Sequence, residues 1–172
     1  DGSRTKNPAE KEYNQKIYTP DQLPASGFRP IDYAANFETF LNETPNETPF
    51  CFWYGGREPH RPYEDGSGLR NGKDPGYVKI PGHLPDHPDV RGDLLDYYLE
   101  IEWFDQHLGK MIKLLEERGE LENTLIVVTS DNGMPFPRSK TNLYDTGVRL
   151  PLAIQWLVRF SGGKVFDEMI HF

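Results

Sequence analysis

The stretch from Leu125 to Arg149, LIVVTSDNGMPFPRSKTNLYDTGVR, is the part of the chain that decides the fold. An apolar, β-branched run, typical of a buried strand, stops at Asp131 and Asn132. Ser-Asp-Asn-Gly is also a natural turn, but ligands of open α/β folds bind just beyond the carboxyl ends of strands. Oxygen donors there suit Ca²⁺ or Mg²⁺, and Lys140 offers a positive charge to an anion held by that metal. The pattern predicts a metal-and-anion site.

Composition sets the broad class of the protein. A chain of 172 residues is long enough for one domain with its own core, and 13% aromatic residues argue against disorder. A net charge of −8 disfavours nucleic acid or an acidic membrane surface as the main partner, although a local cationic pocket remains compatible with an anionic substrate. The single cysteine, Cys51, excludes an intrachain disulfide and is predicted to be a buried small hydrophobe. No apolar run approaches the length of a membrane span.

Hydrophobic spacing predicts two helices after an irregular, proline-punctuated segment over residues 1–29. Apolar positions three and four residues apart favour helices over residues 31–41 and 90–118. For the longer helix, Asp89 is a candidate N-cap and Gly119 is a natural residue just beyond the carboxyl end.

Three short apolar runs predict strands, at residues 49–54, 124–129 and 150–156. A strand, a helix and a second strand in this order favour a crossover with parallel strands, so we predict an α/β fold with a mostly parallel sheet flanked by helices. Parallel strands place their carboxyl ends at one sheet edge. His60, between two prolines just beyond the first strand, would then approach Asp131. A loop histidine is more often a solvated surface residue, and this position makes His60 a candidate for catalysis.

Several motifs in order carry a resemblance to a known family. The pattern TSDNG-x-PFP-x-x-K-x-NLYD-x-G-x-R-x-PL, from Thr129 to Leu152, resembles the second half of type I sulfatases, in the alkaline-phosphatase-like superfamily. Pro59-His60-Arg61 after an aromatic run, and PDxPxVRxDLxxYYxxIxxxD from Pro85 to Asp105, are similar to the heparan N-sulfatase (sulfamidase) group. The resemblance covers residues 28 to 172.

This resemblance implies a fold and a set of roles. Residues 30–172 would be part of a sulfatase catalytic domain, a partial alkaline-phosphatase-like sandwich truncated at both ends. Asp131 and Asn132 would be ligands of a divalent ion, normally Ca²⁺. Lys140 would contact the sulfate and stabilise charge as the bond breaks. His60 would contact the sulfate or the leaving group, as a proton donor.

One departure from the family concerns the nucleophile. Sulfatases use a formylglycine made from the cysteine of a C-x-P-S-R motif, and this chain contains no such motif. Cys51 stands in Phe50-Cys51-Phe52 and cannot substitute for it. We therefore expect this segment alone to lack turnover. We also expect it to self-associate through uncovered strand edges and apolar faces. The resemblance implies a secreted, periplasmic or lysosomal enzyme.

Three functions remain open from the sequence. The first is a hydrolase of sulfate esters or sulfamates, acting on sulfated glycans. The second is a phosphatase or phosphodiesterase of the same superfamily, because metal and oxyanion chemistry look alike from this half. The third is a non-catalytic module that binds sulfated glycan or calcium. Calcium binding by the segment alone should be weak, since two side-chain ligands fall short of the ~6–8 oxygens that Ca²⁺ prefers.

Overall fold

The computed structural model describes residues 12–168 and residue 170, so the predicted irregular segment is described only from residue 12 onward. The chain divides into two compact units, Asp1–Met111 and Ile112–Phe172. No helix of the described residues is both long enough and apolar enough to cross a bilayer. In chain order the elements are α1 (Tyr33–Glu43), α2 (Ser67–Arg70), α3 (Pro88–Glu117), β1 (Ile126–Thr129), α4 (Asp145–Val148) and β2 (Leu152–Gln155), with 3-10 helices at Pro20–Gln22, Pro75–Tyr77 and Leu121–Asn123.

Helix α1 confirms the helix predicted over residues 31–41, displaced slightly toward the carboxyl end. It begins after Asp32, whose carboxylate accepts a hydrogen bond from the Ala35 amide at 3.0 Å and so satisfies one of the unpaired N–H groups of the first turn. It ends at Thr44, before Pro45, which lacks the N–H needed to continue the helix. The inner side of α1 buries Tyr33, Ala34, Asn36, Phe37 and Leu41.

Helix α3 confirms the long helix predicted over residues 90–118. It begins at Pro88, because the fixed φ of proline suits the first helical position and its missing N–H would have no partner there. The prediction that Asp89 is the N-cap is therefore wrong. Asp89 lies inside the first turn, where its negative charge is favourable beside the unpaired N–H groups.

The carboxyl end of α3 is closed by the predicted glycine. Gly119 has a φ of 74°, in the left-handed region that other residues rarely adopt. Its amide bonds to the carbonyl of Glu116 at 2.9 Å, and the next amide, of Glu120, reaches back to Leu115 at 2.9 Å. This pair of bonds satisfies carbonyls that would otherwise lack partners at the helix end.

The inner side of α3 supplies much of the core of the first unit. Leu94 is 1% exposed, and Leu99 and Trp103 pack with Phe28 in one buried cluster. The Trp103 and Phe28 rings meet edge to face with centroids 5.8 Å apart. Burying one such side chain contributes about 1.5–3 kcal/mol before the entropy of ordering the chain is subtracted, so this cluster is a main source of favourable burial in the unit.

A buried carboxylate on α3 holds the start of the short helix α2. Asp96 is 2% exposed and accepts hydrogen bonds from the Gly66 amide at 3.0 Å, the Ser67 hydroxyl at 3.2 Å and the Gly68 amide at 2.7 Å. Three donors offset the cost of burying a charged carboxylate. The long loop that follows residue 57 is therefore ordered by side-chain contacts rather than by strands.

The prediction of a doubly buried strand over residues 49–54 is wrong. These residues form no strand, and no ladder partner for them lies in the described part of the chain. Burial alternates along the run instead: the Phe52 ring packs 4.7 Å from that of Phe37, whereas Trp53 is 86% exposed. Cys51 is also exposed, which corrects the prediction that it is buried. Only one face of residues 49–54 is covered, so their apolar composition does not indicate burial on both faces.

The other two strands are confirmed, over shorter ranges than predicted. β1 and β2 form a two-stranded antiparallel sheet in which Val127 lies opposite Ile154. Because the first predicted strand is absent and this sheet is antiparallel, the mostly parallel sheet is not confirmed; the described residues show a mixture of helices and one small sheet. Val127 and Ile154 are each about half exposed, at 49% and 53%. Self-association through such surfaces stays a prediction.

Two ionisable side chains on α3 are buried and mainly uncharged at neutral pH. Burial, reinforced by the negative charge of Glu58, raises the pKa of Glu100 to about 8. Burial, reinforced by the charge of Lys110, lowers the pKa of His107 to about 4. The Nδ1 atom of His107 accepts a hydrogen bond from the Ala34 amide at 3.3 Å, which agrees with a neutral ring that carries its proton on Nε2.

We predict that replacing His107 by glutamine removes one source of acid sensitivity. The unfolded chain protonates this histidine near pH 6.5, whereas the folded chain does so only near pH 4. The stability tied to this group is therefore complete above pH 6.5 and is lost as the pH falls toward 4, by roughly 3 kcal/mol. Glutamine can still accept the Ala34 hydrogen bond but does not titrate.

Urea unfolding of both proteins at a series of pH values measures this. The free energy of unfolding of the wild type, minus that of His107→Gln, should decrease as the pH falls. Glu100 has a raised pKa and so the opposite pH dependence, but it is present in both proteins and cancels. A difference that stays constant from neutral pH to pH 4 would contradict the prediction.

Candidate functional site

The predicted metal ligands lie in the turn that follows β1. The backbone of this turn is tied locally, since the Ser130 hydroxyl donates to the carbonyl of Asn132 at 2.8 Å. The side-chain amide of Asn132 donates to the carbonyl of Gly133 at 2.9 Å, so its amide nitrogen is engaged and its oxygen remains an acceptor. Asp131 is exposed, and its carboxylate has no hydrogen bond or ion pair with any residue that the structure describes.

The donor set of this turn fits part of a cation's coordination shell. The carboxylate of Asp131 and the side-chain oxygen of Asn132 are hard oxygen donors, the type that Ca²⁺ and Mg²⁺ prefer. Two residues leave most of the ~6–8 oxygens around Ca²⁺ to other groups. Within residues 12–168 and 170, no group of three or more His, Cys, Asp or Glu side chains could hold a metal ion. Further ligands would have to come from elsewhere.

The fold of its own loop returns Lys140 to the turn that contains Asp131 and Asn132. Its amide donates to the carbonyl of Met134 at 3.1 Å, and the Phe136 amide donates to the same carbonyl at 2.8 Å. Ser139 is fully buried, and its hydroxyl donates to that of Thr146 at 2.9 Å. The backbone of Lys140 is therefore hydrogen-bonded directly to Met134, the residue that follows Gly133.

Two glycines allow the ends of this loop to touch. The Gly133 amide donates to the carbonyl of Gly147 at 3.2 Å. A Cβ atom on Gly133 would lie 2.1 Å from the Thr146 carbonyl oxygen, and one on Gly147 would lie 2.4 Å from that of Ser139 and 2.3 Å from that of Asn142. Neither position has room for a side chain, so this close approach requires glycine at both.

His60 lies in the first unit, in a loop with its own set of hydrogen bonds. Its amide donates to the carbonyl of Arg57 at 2.9 Å, and the hydroxyl of Tyr63 donates to the carbonyl of Pro59 at 2.7 Å. The imidazole is exposed, and its Nδ1 atom is 2.6 Å from the carbonyl oxygen of Arg61. The backbone around this histidine is thus held in place while one side of its ring is open.

Glu58 anchors the same loop to the core of the first unit. Its side chain is 4% exposed and accepts hydrogen bonds from the Arg29 amide at 2.9 Å and from the Tyr33 hydroxyl at 3.1 Å. Burial, together with the charge of Glu58, raises the pKa of Tyr33 to about 12, so that this hydroxyl remains a donor at neutral pH. The residue two positions before His60 is therefore fixed.

The structure places the predicted residues in two groups. Asp131, Asn132 and Lys140 share one hydrogen-bonded loop of the second unit, whereas His60 lies in the first unit. The sequence did not reveal the hydroxyl pair of Ser139 and Thr146 or the contact between the two glycines. The motif does contain both glycines, Gly133 in TSDNG and Gly147 in NLYD-x-G, but it does not show that they touch.

The chain belongs to the sulfatase family, a family of hydrolases, because the family model described as Sulfatase matches residues 3–164. Among curated proteins, it is 41% identical over 81 residues to the N-sulphoglucosamine sulphohydrolase of Homo sapiens, which is 47% of this chain and 16% of that protein. It is 38% identical over 93 residues to an ulvan-active sulfatase of Formosa agariphila, covering 54% of this chain and 16% of that protein.

A third relative matches over a longer stretch at lower identity. The N-acetylglucosamine-6-sulfatase of Homo sapiens is 26% identical over 154 residues, which is 80% of this chain and 28% of that protein. The chain thus spans between about a sixth and just over a quarter of the length of these relatives. The predicted membership of the sulfatase family, near the sulfamidase group, is confirmed.

We predict that Gly147→Ala loosens the loop that carries Lys140. The added methyl group would overlap two carbonyl oxygens, and such overpacking typically costs about 1–3 kcal/mol. Hydrogen exchange of the Gly133 amide, which bonds to the carbonyl of Gly147, should therefore accelerate by about tenfold or more.

Gly162→Ala is the matched control, because a Cβ at Gly162 meets nothing within 4 Å. The control should leave the exchange rate of Gly133 unchanged. Equal exchange rates in Gly147→Ala and the wild type would show that the loop does not depend on this close contact.

Proposed function

We propose that this chain forms part of the catalytic domain of a sulfatase that hydrolyses sulfate esters or sulfamates of glycans. The observation that carries the proposal is the loop that returns Lys140 to a turn with uncommitted oxygen donors, within a chain of the sulfatase family. The relatives are named for N-sulphoglucosamine, N-acetylglucosamine and ulvan. Saccharide sulfates are therefore the substrate class that we propose.

Asp131 and Asn132 are proposed as two ligands of a divalent cation, for which Ca²⁺ is the family expectation. When bound, such a cation polarises the oxygen atoms of the sulfate and offsets charge that develops on them. The local hydrogen bonds of the turn leave the oxygens of both side chains available for this. Other ligands and the formylglycine nucleophile would come from residues outside this chain.

Lys140 is proposed to bind the sulfate directly. Its ammonium group is a compact point charge that can approach the oxygens of an anion from several directions. Because its backbone is fixed by the Met134 carbonyl, the point from which the side chain extends is set before substrate arrives. A positive charge that meets the sulfate there would stabilise the charge that develops in the transition state.

His60 is proposed as the group that exchanges a proton with the leaving oxygen or nitrogen. Its Nδ1 atom is held by the Arg61 carbonyl, so Nε2 is the nitrogen that can meet a substrate. A histidine is suited to this role because its pKa lies near the physiological range. Protonation of Nε2 gives an imidazolium, which can then donate that proton as the bond to sulfur breaks.

The sulfatase membership favours this reading over the two alternatives. A phosphatase or phosphodiesterase would use the same kinds of residues, but the matching family and relatives are sulfatases. A non-catalytic calcium module would need more ligands than Asp131 and Asn132 provide. The hydrolase is therefore the function that the observations support best.

We predict that Lys140→Ala lowers kcat for sulfate-ester hydrolysis by about 10²–10³-fold, because it removes a charge that acts in the transition state.

Asp131→Asn should raise the Ca²⁺ concentration needed for half-maximal activity by at least about tenfold, since a carboxylate ligand is lost. Both are measured with an aryl sulfate, in a complete sulfatase domain that contains this segment.

Lys164→Ala, which removes an exposed lysine of the same unit, is the matched control and should retain wild-type kinetics. Loss of activity only in the two site variants supports the proposal. Full activity in Lys140→Ala, or a calcium dependence that Asp131→Asn leaves unchanged, would overturn the assignment of these residues.

A further inference from the structure

A two-pronged ion pair joins the His60 loop to helix α3. The Nη1 and Nη2 atoms of Arg61 donate to the Oδ1 and Oδ2 atoms of Asp93 at 2.9 and 2.5 Å. The same guanidinium lies 4.6 Å from the centroid of the Tyr63 ring. Both contacts restrict the long side chain of Arg61, because a fork of two parallel hydrogen bonds fixes direction as well as distance.

The ion pair contributes more to orientation than to stability. The side chains of Arg61 and Asp93 are 38% and 39% exposed. Partly exposed pairs contribute little to stability, since water screens the charges and ordering the side chains costs entropy. Removing the pair should therefore leave the first unit folded. What the pair can do is tie Arg61, whose backbone carbonyl faces the His60 ring, to helix α3.

That carbonyl determines the state of the neighbouring histidine. It lies 2.6 Å from Nδ1 of His60, and a carbonyl oxygen can only accept a hydrogen bond. Nδ1 must therefore carry a proton. In the neutral ring this leaves Nε2 unprotonated, and Nε2 has no partner among the residues that the structure describes. An unrestrained neutral histidine carries its proton mainly on Nε2, so the observed contact selects the less common tautomer.

A second donor reaches the same carbonyl. The Nη2 atom of Arg57 lies 3.4 Å from the carbonyl oxygen of Arg61, a long contact that leaves the His60 bond as the short one. The amide of His60 is itself bonded to the carbonyl of Arg57. The imidazole and the carbonyl that it faces thus both belong to a hydrogen-bonded loop, which Glu58 ties to the core and Asp93 ties to α3.

We propose that Asp93, acting through Arg61, is a positioning residue that fixes His60 as its Nδ1–H tautomer and so makes Nε2 the reactive nitrogen. The role of Nε2 rests on the proposed sulfatase function, whereas the tautomer does not. Asp93 contacts no substrate in this scheme. It determines which nitrogen of His60 takes up a proton and later donates it.

The test is long-range ¹H–¹⁵N NMR of the 172-residue chain, labelled at histidine, at a pH where the imidazole is neutral. In the wild type, the His60 signals should show a protonated Nδ1. Asp93→Asn loses the charge and the second acceptor oxygen, so most of the His60 population should move to the Nε2–H tautomer. Asp93→Glu keeps the carboxylate and should restore the wild-type pattern at least in part.

Asp86→Asn is the matched control. Asp86 makes the same kind of two-pronged pair with Arg91, from Nε to Oδ1 at 2.6 Å and from Nη2 to Oδ2 at 2.8 Å, and has no contact with His60. This variant should leave the His60 tautomer unchanged.

Far-UV circular dichroism checks that each variant is folded. If Asp93→Asn fails to fold, Arg61→Lys, which keeps the cation but not the fork, should show the same shift of the tautomer.

The outcomes separate this inference from the proposed function. A wild-type His60 that is mainly Nε2–H, or a tautomer that neither Asp93→Asn nor Arg61→Lys alters, would overturn the positioning role. The function is tested apart from this in a complete sulfatase domain, where His60→Asn should lower kcat for an aryl sulfate. An unchanged kcat there would refute the catalytic role of His60 while leaving the positioning result intact.

Discussion

The first unit depends on carboxylates of helix α3 that satisfy the loops lying against it. The apolar side of α3 is buried, which fixes the helix. Asp96 then accepts two amides and one hydroxyl at the start of α2, and Asp93 holds the guanidinium of Arg61. The buried carboxylate of Asp96 would be costly unless it were hydrogen-bonded, so its contacts favour a single arrangement of a loop that is rich in proline and glycine, and the more exposed Asp93 adds a directional tie. The candidate residue His60 lies in that loop.

The loop of the second unit is ordered by a different means. Here the contacts are between backbone groups and small side chains: Gly133 against Gly147, and Ser139 against Thr146. These contacts occupy backbone donors and acceptors of the loop, and the carboxylate of Asp131 and the side-chain oxygen of Asn132 have no hydrogen-bond partner among the residues that the structure describes. In both units, the backbone is satisfied locally and the chemically useful atoms are left available.

Local patterns were sufficient to predict some elements and not others. The periodicity of α3, its terminal glycine and the strand ending before Asp131 were readable because helix periodicity and turn chemistry depend on neighbouring residues. The strand over residues 49–54 was not, because a strand needs a partner that composition does not identify. The ion pair of Arg61 and Asp93 could not be predicted for the same reason, because the two residues are 32 positions apart in the sequence. The exposure of Cys51 also depends on contacts that composition does not identify. Family motifs indicated the site residues but not what holds them.

Hydrogen exchange of the Gly66 and Gly68 amides tests most directly whether α3 organises the His60 side of the first unit. Asp96→Ala removes the acceptor of both amides, and Asp105→Ala removes an exposed carboxylate of the same helix as a control. We expect exchange at both glycines to accelerate by at least about tenfold in Asp96→Ala, with the amides of α3 still protected. Unchanged exchange in Asp96→Ala, or equal acceleration in Asp105→Ala, would contradict the account.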